Sequence, residues 1–250
     1  LTGEYLPLEE PSPTFKTGLK AGTYYLVVTG GSLKEYKDST YRLTTKFEAK
    51  NKIELESNND RKSATALPLN KTFTGVANDL DPMDYFKVDV ADSGNLVLKA
   101  TSSNPNADLG YTLYDANRKG VKNFEYVANR QATKLTSSTY VNKGTYYVRV
   151  AGSDEEVFGH SNYSLKANVV TKSVKRSNVV VKNAAKSTIT LKALPVGATV
   201  NVYSDAKKTK KVTSFKATSA TMTKAIKLNK KGGNLYVALK KSTLAEGAAT

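Results

Sequence analysis

The sequence has 250 residues with no cysteine, no tryptophan and a formal net charge of +16, and 39% of the residues are hydrophobic. The absence of cysteine excludes disulfide frameworks, Cys-ligated zinc, iron–sulfur clusters and thiol nucleophiles. No apolar run approaches the roughly 18 residues of a membrane-spanning helix, and the many Thr, Val and Tyr residues favour strands. We therefore expect an all-β protein with no membrane span. Because Leu1 is neither an initiator Met nor the start of a signal peptide, we expect the sequence to be part of a longer chain.

An internal repeat organises the first 170 residues. Residues 22–28, Gly-Thr-Tyr-Tyr-Leu-Val-Val, recur as Gly-Thr-Tyr-Tyr-Val-Arg-Val at 144–150, and Tyr-Arg-Leu-Thr at 41–44 recurs as Tyr-Ser-Leu-Lys at 163–166, both at an offset of 122 residues. A fixed offset marks separate copies of one folding unit. Residues 1–50, with strands predicted at 23–28 and 41–47, are thus the C-terminal part of a first β-sandwich. Half a sandwich leaves strand edges uncovered, so we expect it to pack on the next module, to self-associate with another chain, or to belong to a fuller domain.

Residues 51–170 are predicted to be a complete copy. Alternation places Phe86, Val88 and Val90 in a core and Tyr85, Lys87 and Asp89 in water. Turn signals such as Asp92-Ser93-Gly94 separate the strands, and a short helical turn is predicted at 64–69. About eight short strands without a helical period indicate a jelly-roll-type β-sandwich; they are predicted at 73–77, 84–90, 95–100, 110–115, 121–127, 132–135, 145–151 and 163–169.

Residues 171–250 are predicted to be a small basic Ig-like sandwich. They contain 17 Lys or Arg residues but only Asp205 and Glu246 as acids, a net charge of +15, whereas the first 170 residues carry +1. This asymmetry suggests a polyanionic partner such as nucleic acid or an acidic cell-wall polymer; alternatively, the lysines only solvate the strands. The predicted strands are 178–181, 188–191, 199–203, 211–215, 222–226 and 235–239.

Two oxygen-rich segments bracket the start of the complete copy. In extended backbone, side chains two residues apart share a side, which aligns Glu54 and Glu56 with Asn58. A second row, Asp79 and Asp81, lies about 25 residues later, before Asp84 and the aromatic strand. Several carboxylates and an amide are the ligands that Ca²⁺ prefers. Two such rows either bind a cation or stay solvated, because clustered carboxylates repel one another.

A family resemblance favours the ion. Taken in order, the following motifs resemble the bacterial pre-peptidase C-terminal domain family, secreted β-sandwiches similar to the collagen-binding domains of clostridial collagenases: Glu-Leu-Glu-Ser-Asn-Asn-Asp at 54–60, Ala-Thr-Ala-Leu at 64–67, Thr-Gly at 74–75, Asp-Tyr-Phe-Lys-Val at 84–88, and the repeated strands at 144–150 and 163–165. The resemblance implies calcium chelation by an acidic linker and a loop. On this sequence the linker ligands are Glu54, Glu56 and Asn58, and the loop ligands are Asp79, Asp81 and Asp84.

The basic region has a resemblance of its own. Thr-Ile-Thr-Leu at 188–191, the stretch Leu-Pro-Val-Gly-Ala-Thr-Val-Asn-Val-Tyr at 194–203 and Leu-Tyr-Val-Ala-Leu at 235–239 resemble tandem β modules at the C-termini of Bacillus-type surface proteins and secreted hydrolases. This resemblance implies a Gram-positive cell surface or the surrounding medium.

No catalytic motif accompanies these features. His160 is the only histidine, and we expect it in a solvent-facing turn, because neither a G-x-S-x-G elbow nor an H-E-x-x-H helix is present. We predict a non-catalytic, calcium-stabilised accessory region of a secreted or cell-surface bacterial protein, such as a peptidase or other hydrolase. It would attach to an anionic wall polymer or to an extracellular protein or polysaccharide substrate, with nucleic acid disfavoured. The alternatives are a collagen- or glycan-binding module, using Tyr146, Tyr147 and Tyr163, and a surface-layer assembly protein. Tyrosines that alternate along strands more often pack in the core or at its rim.

Overall fold

The computed structural model describes residues 16–28, 41–77, 81–128, 133–152, 161–228, 233–242 and 244–250. Within these ranges the chain forms strands and one 3₁₀ turn at Arg176–Asn178, which confirms the all-β prediction. No helix in this part of the chain has the length and apolar character needed to cross a bilayer. The strands up to residue 170 are β1 (Thr65–Ala66), β2 (Thr72–Ala77), β3 (Met83–Val90), β4 (Gly94–Ser102), β5 (Leu109–Asp115), β6 (Gly120–Ala128), β7 (Lys134–Val141), β8 (Gly144–Ala151) and β9 (Ser161–Val170).

These nine strands form two facing sheets. The described strands pair in the order β1-β3-β8-β5-β6 in one sheet and β2-β9-β4-β7 in the other. Alternate side chains from both sheets meet in one apolar core, where the predicted inward residues Phe86, Val88 and Val90 are at most 3% exposed. The period-two pattern therefore produces a sandwich with one buried and one solvated face on each sheet.

Three local predictions were wrong. Residues 64–69 contain β1, a two-residue strand parallel to β3, in place of a helical turn. The strand expected at 132–135 is β7, which extends to Val141 because its Thr and Ser residues pair along the whole of β4. Residues 23–28 and 41–47 form no strand within the described chain.

The missing strands of the first copy have a physical explanation in the second copy. There, β8 lies between β3 and β5, whereas β9 lies between β2 and β4 in the opposite sheet. The first-copy counterparts meet no such neighbours in the described part of the chain. Leu26 is consequently 68% exposed, although Val148, its repeat partner, is fully buried. A strand needs lateral hydrogen bonds and a covered face, and the described residues supply neither to these segments.

Residues 171–250 form a second, smaller pair of sheets. The strands are β10 (Val179–Lys182), β11 (Thr188–Leu191), β12 (Thr199–Tyr203), β13 (Lys211–Lys216), β14 (Met222–Ala225) and β15 (Tyr236–Lys240). Among described residues they pair as β10-β11-β14 and β13-β12-β15. A separate apolar core, which includes Ile189, Leu191, Val200 and Val202, lies between these sheets. The module limits 1–50, 51–170 and 171–250 stay a prediction.

Residues 244–250, here called the strap, contact both sandwiches. Leu244 is 7% exposed in the core of the sandwich formed by β1 to β9, and Ala245 accepts a backbone hydrogen bond from Thr171 at 3.0 Å. Thr250 exchanges two backbone hydrogen bonds with Val237 of β15, at 2.8 and 3.0 Å. The strap therefore covers the junction between the two cores.

Candidate metal centre

Residues 53–56 run along the edge of β2, after a bend at Lys52. The Thr74 amide donates to the Lys52 carbonyl at 2.9 Å, and the Glu54 amide donates to the Thr74 carbonyl at the same distance. This parallel pairing turns the Glu54 side chain towards the interior. The next residue but one, Glu56, is fixed by a 2.8 Å hydrogen bond from its amide to the Gly18 carbonyl. The sequence places both carboxylates on one side because strand side chains alternate.

A third carboxylate approaches from the other sheet. Asp84 lies at the start of β3 and is fully buried. The linker is held beside this strand because the Tyr85 amide donates to the Asn58 carbonyl at 2.8 Å. One oxygen from each of Glu54, Glu56 and Asp84 lies within 4.8 Å of the other two. We call these three side chains the carboxylate cluster.

Tyr163 connects two members of the carboxylate cluster. Its hydroxyl donates to Asp84 Oδ2 at 2.6 Å and also hydrogen-bonds Glu54 Oε2. The Val76 amide donates to Glu54 Oε1 at 2.5 Å. Gly75 leaves room for this arrangement, because a Cβ atom at that position would overlap both the Glu54 carboxylate and the Tyr163 ring. The glycine is therefore required by close approach.

Several oxygens at this centre have no hydrogen-bond donor. Within the described residues, Glu56 Oε1, Asp84 Oδ1 and both polar side-chain atoms of Asn58 are buried without a hydrogen-bond partner. Asn58 is fully buried. Buried polar atoms without partners are rare and costly, and none of the ion pairs in the described chain involves the carboxylate cluster. The centre supplies the oxygen ligands that a cation site requires. None of the ion pairs in the described chain brings a protein cation that would neutralise its carboxylates.

Burial and mutual repulsion make these carboxylates hard to ionise. Burial raises the pKa of Glu54 to about 7, despite the hydrogen bonds from Tyr163 and Val76 that act in the opposite direction. Burial, followed by the nearby Asp81 carboxylate, raises the pKa of Glu56 to about 8. Burial and the Glu54 charge raise the pKa of Asp84 well above its ordinary value. Burial likewise raises the pKa of Tyr163, so its hydroxyl stays a hydrogen-bond donor.

Five of the six predicted ligand residues can be located in the structure. Glu54, Glu56 and Asp84 form the carboxylate cluster. Asp81 is 5% exposed and accepts a 2.9 Å hydrogen bond from the side-chain nitrogen Nδ2 of Asn59, while its negative charge helps to raise the pKa of Glu56. Asn58 adds a buried amide. Asp79 lies outside the described residues, and the role of all six as ligands stays a prediction.

Sequence reasoning missed the part that Tyr163 plays at this centre. The repeat identified Tyr163 as a strand residue, and its alternation with Leu165 and Ala167 was the available signal that it points inward. Tyr163 and Tyr146 are only 4% and 8% exposed, so these two tyrosines pack in the core and the alternative in which they form an exposed binding surface was wrong. Tyr147 lies on the outer face of its sheet. His160 lies outside the described residues.

Comparisons with known proteins give partial structural likenesses. No protein-family model matches the sequence, and no curated protein sequence matches it. Among solved structures, the pre-peptidase C-terminal domain of a collagenase from Bacillus anthracis aligns with 44% of this chain and 99% of its own, at 20% identity and a TM-score of 0.37. The adhesin domain of Epf from Streptococcus pyogenes aligns with 72% of this chain and 75% of its own, at 10% identity and a TM-score of 0.35.

A third solved structure is a beta-1,2-glucanase from Parabacteroides distasonis. It aligns with 67% of this chain but 29% of its own, at 13% identity and a TM-score of 0.25. At TM-scores this low, none of the three likenesses carries a functional conclusion.

Proposed function

We propose that the chain is a non-catalytic accessory region of a secreted or cell-surface bacterial protein, stabilised by Ca²⁺ bound at the carboxylate cluster. The observation that carries this proposal is the meeting of Glu54, Glu56 and Asp84 within 4.8 Å, with buried oxygens that have no hydrogen-bond partner in the described chain. Two oxygens on opposite sides of a calcium ion, each at about 2.4 Å, are about 4.8 Å apart. The spacing therefore fits one ion between the carboxylates.

The donor chemistry supports calcium over softer metals. The described centre offers carboxylate and amide oxygens, and the chain contains no cysteine. Hard cations prefer oxygen ligands, and calcium accepts six to eight of them in flexible geometry. Asn58 and Asp81 stand beside the carboxylate cluster as further donors, and Asp79 completes the set that we propose. The resident ion would replace the missing positive charge and allow all three carboxylates to ionise.

Calcium binding would join segments that are distant along the chain. Glu54 and Glu56 belong to the linker before β1, whereas Asp84 belongs to β3. An ion that binds the folded chain and not the unfolded chain stabilises the fold by mass action. Extracellular modules commonly bind calcium with Kd values of about 10⁻⁴ to 10⁻³ M, so the linker would become fixed where calcium is abundant.

A protonated cluster without metal is the competing explanation. With pKa values of about 7 and 8 for Glu54 and Glu56, bound protons would also relieve the repulsion near neutral pH. Melting temperatures at pH 8 in EDTA, 10 mM Ca²⁺ and 10 mM Mg²⁺ distinguish the two. We expect Ca²⁺ to raise the Tm by several degrees and Mg²⁺ to raise it less, because Mg²⁺ requires stricter octahedral geometry. A Tm that is identical in EDTA and Ca²⁺ would rule out the metal site.

The lysine-rich residues 171–250 would supply attachment. Their two acidic side chains are both used internally: Asp205 accepts hydrogen bonds from the Thr209 and Lys210 amides, and Glu246 contacts Asn201, Tyr203 and Lys208. The remaining cations can attract an anionic wall polymer over long range. Salt-sensitive retention of the chain on isolated cell walls tests this role, and retention unaffected by salt would contradict it.

A collagen- or glycan-binding module is the second candidate. The outer face of the sheet β1-β3-β8-β5-β6 carries Tyr85 beside Arg149, and Tyr147 beside Tyr114, with Arg61 stacked 5.4 Å from the Tyr147 ring centre. Tyrosines with arginine commonly form protein contact surfaces. Pull-down on insoluble collagen and on polysaccharide, with Tyr147→Ala beside the unmodified chain, tests this candidate. Equal retention of the two proteins would remove it.

Self-association through the first copy is the third candidate. Tyr25, Leu26, Val27 and Phe47 are 68 to 87% exposed, and exposed apolar clusters promote association. The mass of the chain in solution over a range of concentrations tests it. A monomer at all concentrations would exclude an assembly role for this segment.

A further inference from the structure

The outer face of the sheet β2-β9-β4-β7 carries positive charge and no acid. Its outward positions, taken from the strand register, contain no Asp or Glu in the four described strands. They carry three lysines, one tyrosine and otherwise Thr, Ser, Asn and Val. The opposite sheet differs, because its outward Lys87 has the Asp89 carboxylate 3.4 Å away. The excess charge on this face was hidden in the sequence by the near-neutral balance of the first 170 residues.

Two of the lysines are held directly opposite each other. Lys99 on β4 pairs with Lys166 on β9, the two central strands of the sheet. Lys134 on β7 faces Thr101 and is therefore the diagonal neighbour of Lys99, at about 7 to 8 Å between Cα atoms. Within the described chain, none of the three forms an ion pair. Like charges directly opposite destabilise a sheet unless an anion lies between them.

Hydroxyl groups surround this lysine group. Thr72 is opposite Lys166 and Thr136 is opposite Lys99, and the Thr101 and Ser164 hydroxyls are hydrogen-bonded to each other at 2.7 Å. Ammonium groups with adjacent hydroxyl donors can bind the oxygens of phosphate or sulfate esters. The surface is the open outer face of a sheet, which suits an extended chain and does not enclose a small ion.

The positive charge continues to the junction with the basic region. Lys172, six residues after Lys166, lies 4.8 Å from the ring centre of Tyr140 on β7. Six residues of extended strand span about 20 Å, so the cations are spaced along a track of that length. Tyr140 is the one aromatic side chain at the outward positions of these strands, and the Lys172 ammonium already occupies its neighbourhood. The face therefore offers nucleobases a single tyrosine ring, 49% exposed and already contacted by a lysine, whereas proteins that bind single-stranded nucleic acids stack successive bases on several aromatic side chains.

We infer that the outer face of this sheet, centred on Lys99, Lys166 and Lys134, binds a carbohydrate polymer bearing phosphate or sulfate esters, with the anionic groups lying across the opposed lysines. This inference deepens the proposed function, since it rests on an extracellular attachment role and names a polymer class and a surface for it. It adds a binding surface outside the lysine-rich residues 171–250. The polymer would also relieve the repulsion between Lys99 and Lys166.

The test compares two double variants of the full chain that lose the same net charge. K99Q/K166Q removes the opposed pair, and the control K119Q/K122Q removes two lysines from the β5–β6 hairpin of the other sheet. Binding to dextran sulfate, unsulfated dextran and poly(dT) is measured between 50 and 200 mM salt. We expect K99Q/K166Q to weaken dextran sulfate binding about 10- to 100-fold at 50 mM salt and to reduce the log–log salt slope by about 1.4, whereas the control stays close to the unmodified chain.

Each outcome of this test decides something. Equal weakening in both double variants would reduce the effect to net charge and overturn the inference, as would poly(dT) binding as tight as dextran sulfate. Without polymer, K99Q/K166Q should melt at or above the Tm of the unmodified chain, since a repulsive pair is removed; a lower Tm would show that the lysines have a structural role instead. The calcium-induced rise in Tm should persist in this variant. If K99Q/K166Q keeps the calcium-induced rise in Tm and binds the polymer as tightly as the unmodified chain, only the proposed binding surface is refuted. If the unmodified chain itself shows no calcium-induced rise in Tm, the proposed function is refuted.

Discussion

Replacing Glu54 by Gln should stabilise the chain in the absence of calcium, and calcium should narrow that advantage. In the metal-free chain the pKa of Glu54 is raised from 4.5 to about 7 by burial. The folded state then holds this proton more tightly than the unfolded chain does. The stability contributed by the protonated Glu54 carboxyl is complete below about pH 4.5 and is lost as the pH rises to about 7. A difference of about 2.5 pKa units corresponds to about 3 kcal/mol.

Gln removes this cost because it does not ionise. At pH 8 in EDTA, Glu54→Gln should therefore be more stable than the unmodified chain by up to about 3 kcal/mol, or roughly 6 to 12 °C in Tm. With 10 mM Ca²⁺ the stabilities of the two chains should converge. If the Kd is about 10⁻⁴ to 10⁻³ M, the ion stabilises the unmodified chain by about 1.4 to 2.7 kcal/mol, and the variant, with one carboxylate fewer, gains much less.

Thermal melts followed by circular dichroism at pH 5, 6, 7 and 8, with EDTA and with Ca²⁺, measure both effects. The matched control is Glu125→Gln, which removes a carboxylate that is half-buried and ion-paired with Lys122 on the strand β6. It should show neither the stabilisation in EDTA nor the loss of the calcium response. A Glu54→Gln variant that melts below the unmodified chain in EDTA at pH 8 would refute the argument from desolvation.

Four further substitutions test the same centre and the junction. Tyr163→Phe removes the hydroxyl shared by two carboxylates and should lower the unfolding free energy by about 2 kcal/mol, as measured by urea unfolding; an unchanged midpoint would contradict the hydrogen-bond assignment. Gly75→Ala places a Cβ against Tyr163 and should cost about 1 to 3 kcal/mol through overpacking, and a neutral effect would show that the site has more space. Asp79→Ala should reduce the calcium-induced rise in Tm, and a full response would remove Asp79 from the ligand set. Leu244→Ala should lower the free energy of unfolding by about 2 to 5 kcal/mol through the cavity left in the core of the β1 to β9 sandwich, whereas a loss below 1 kcal/mol would show that the strap is not packed there.

The sequence alone determined the strand pattern in most of the chain. The predicted strands of residues 171–250 coincide with β10 to β15 to within a residue or two at most ends, and Phe86, Val88 and Val90 are buried as the alternation indicated. These features depend on period-two patterning and turn residues, which are local properties of a chain. The same local rule also placed Glu54 and Glu56 on one side of their segment.

Only the tertiary structure decided which strands have neighbours and which distant groups meet. Residues 22–28 and 144–150 share a sequence pattern, yet the second copy alone is a strand, because β3 and β5 supply its hydrogen bonds. Tyr163 reaches Glu54 across 109 residues, and Lys99 faces Lys166 across 67, through sheet pairing that no local pattern specifies. Lateral contacts in a sandwich are made when distant strands close on one another, so they depend on topology. The alternation along each strand does not encode them.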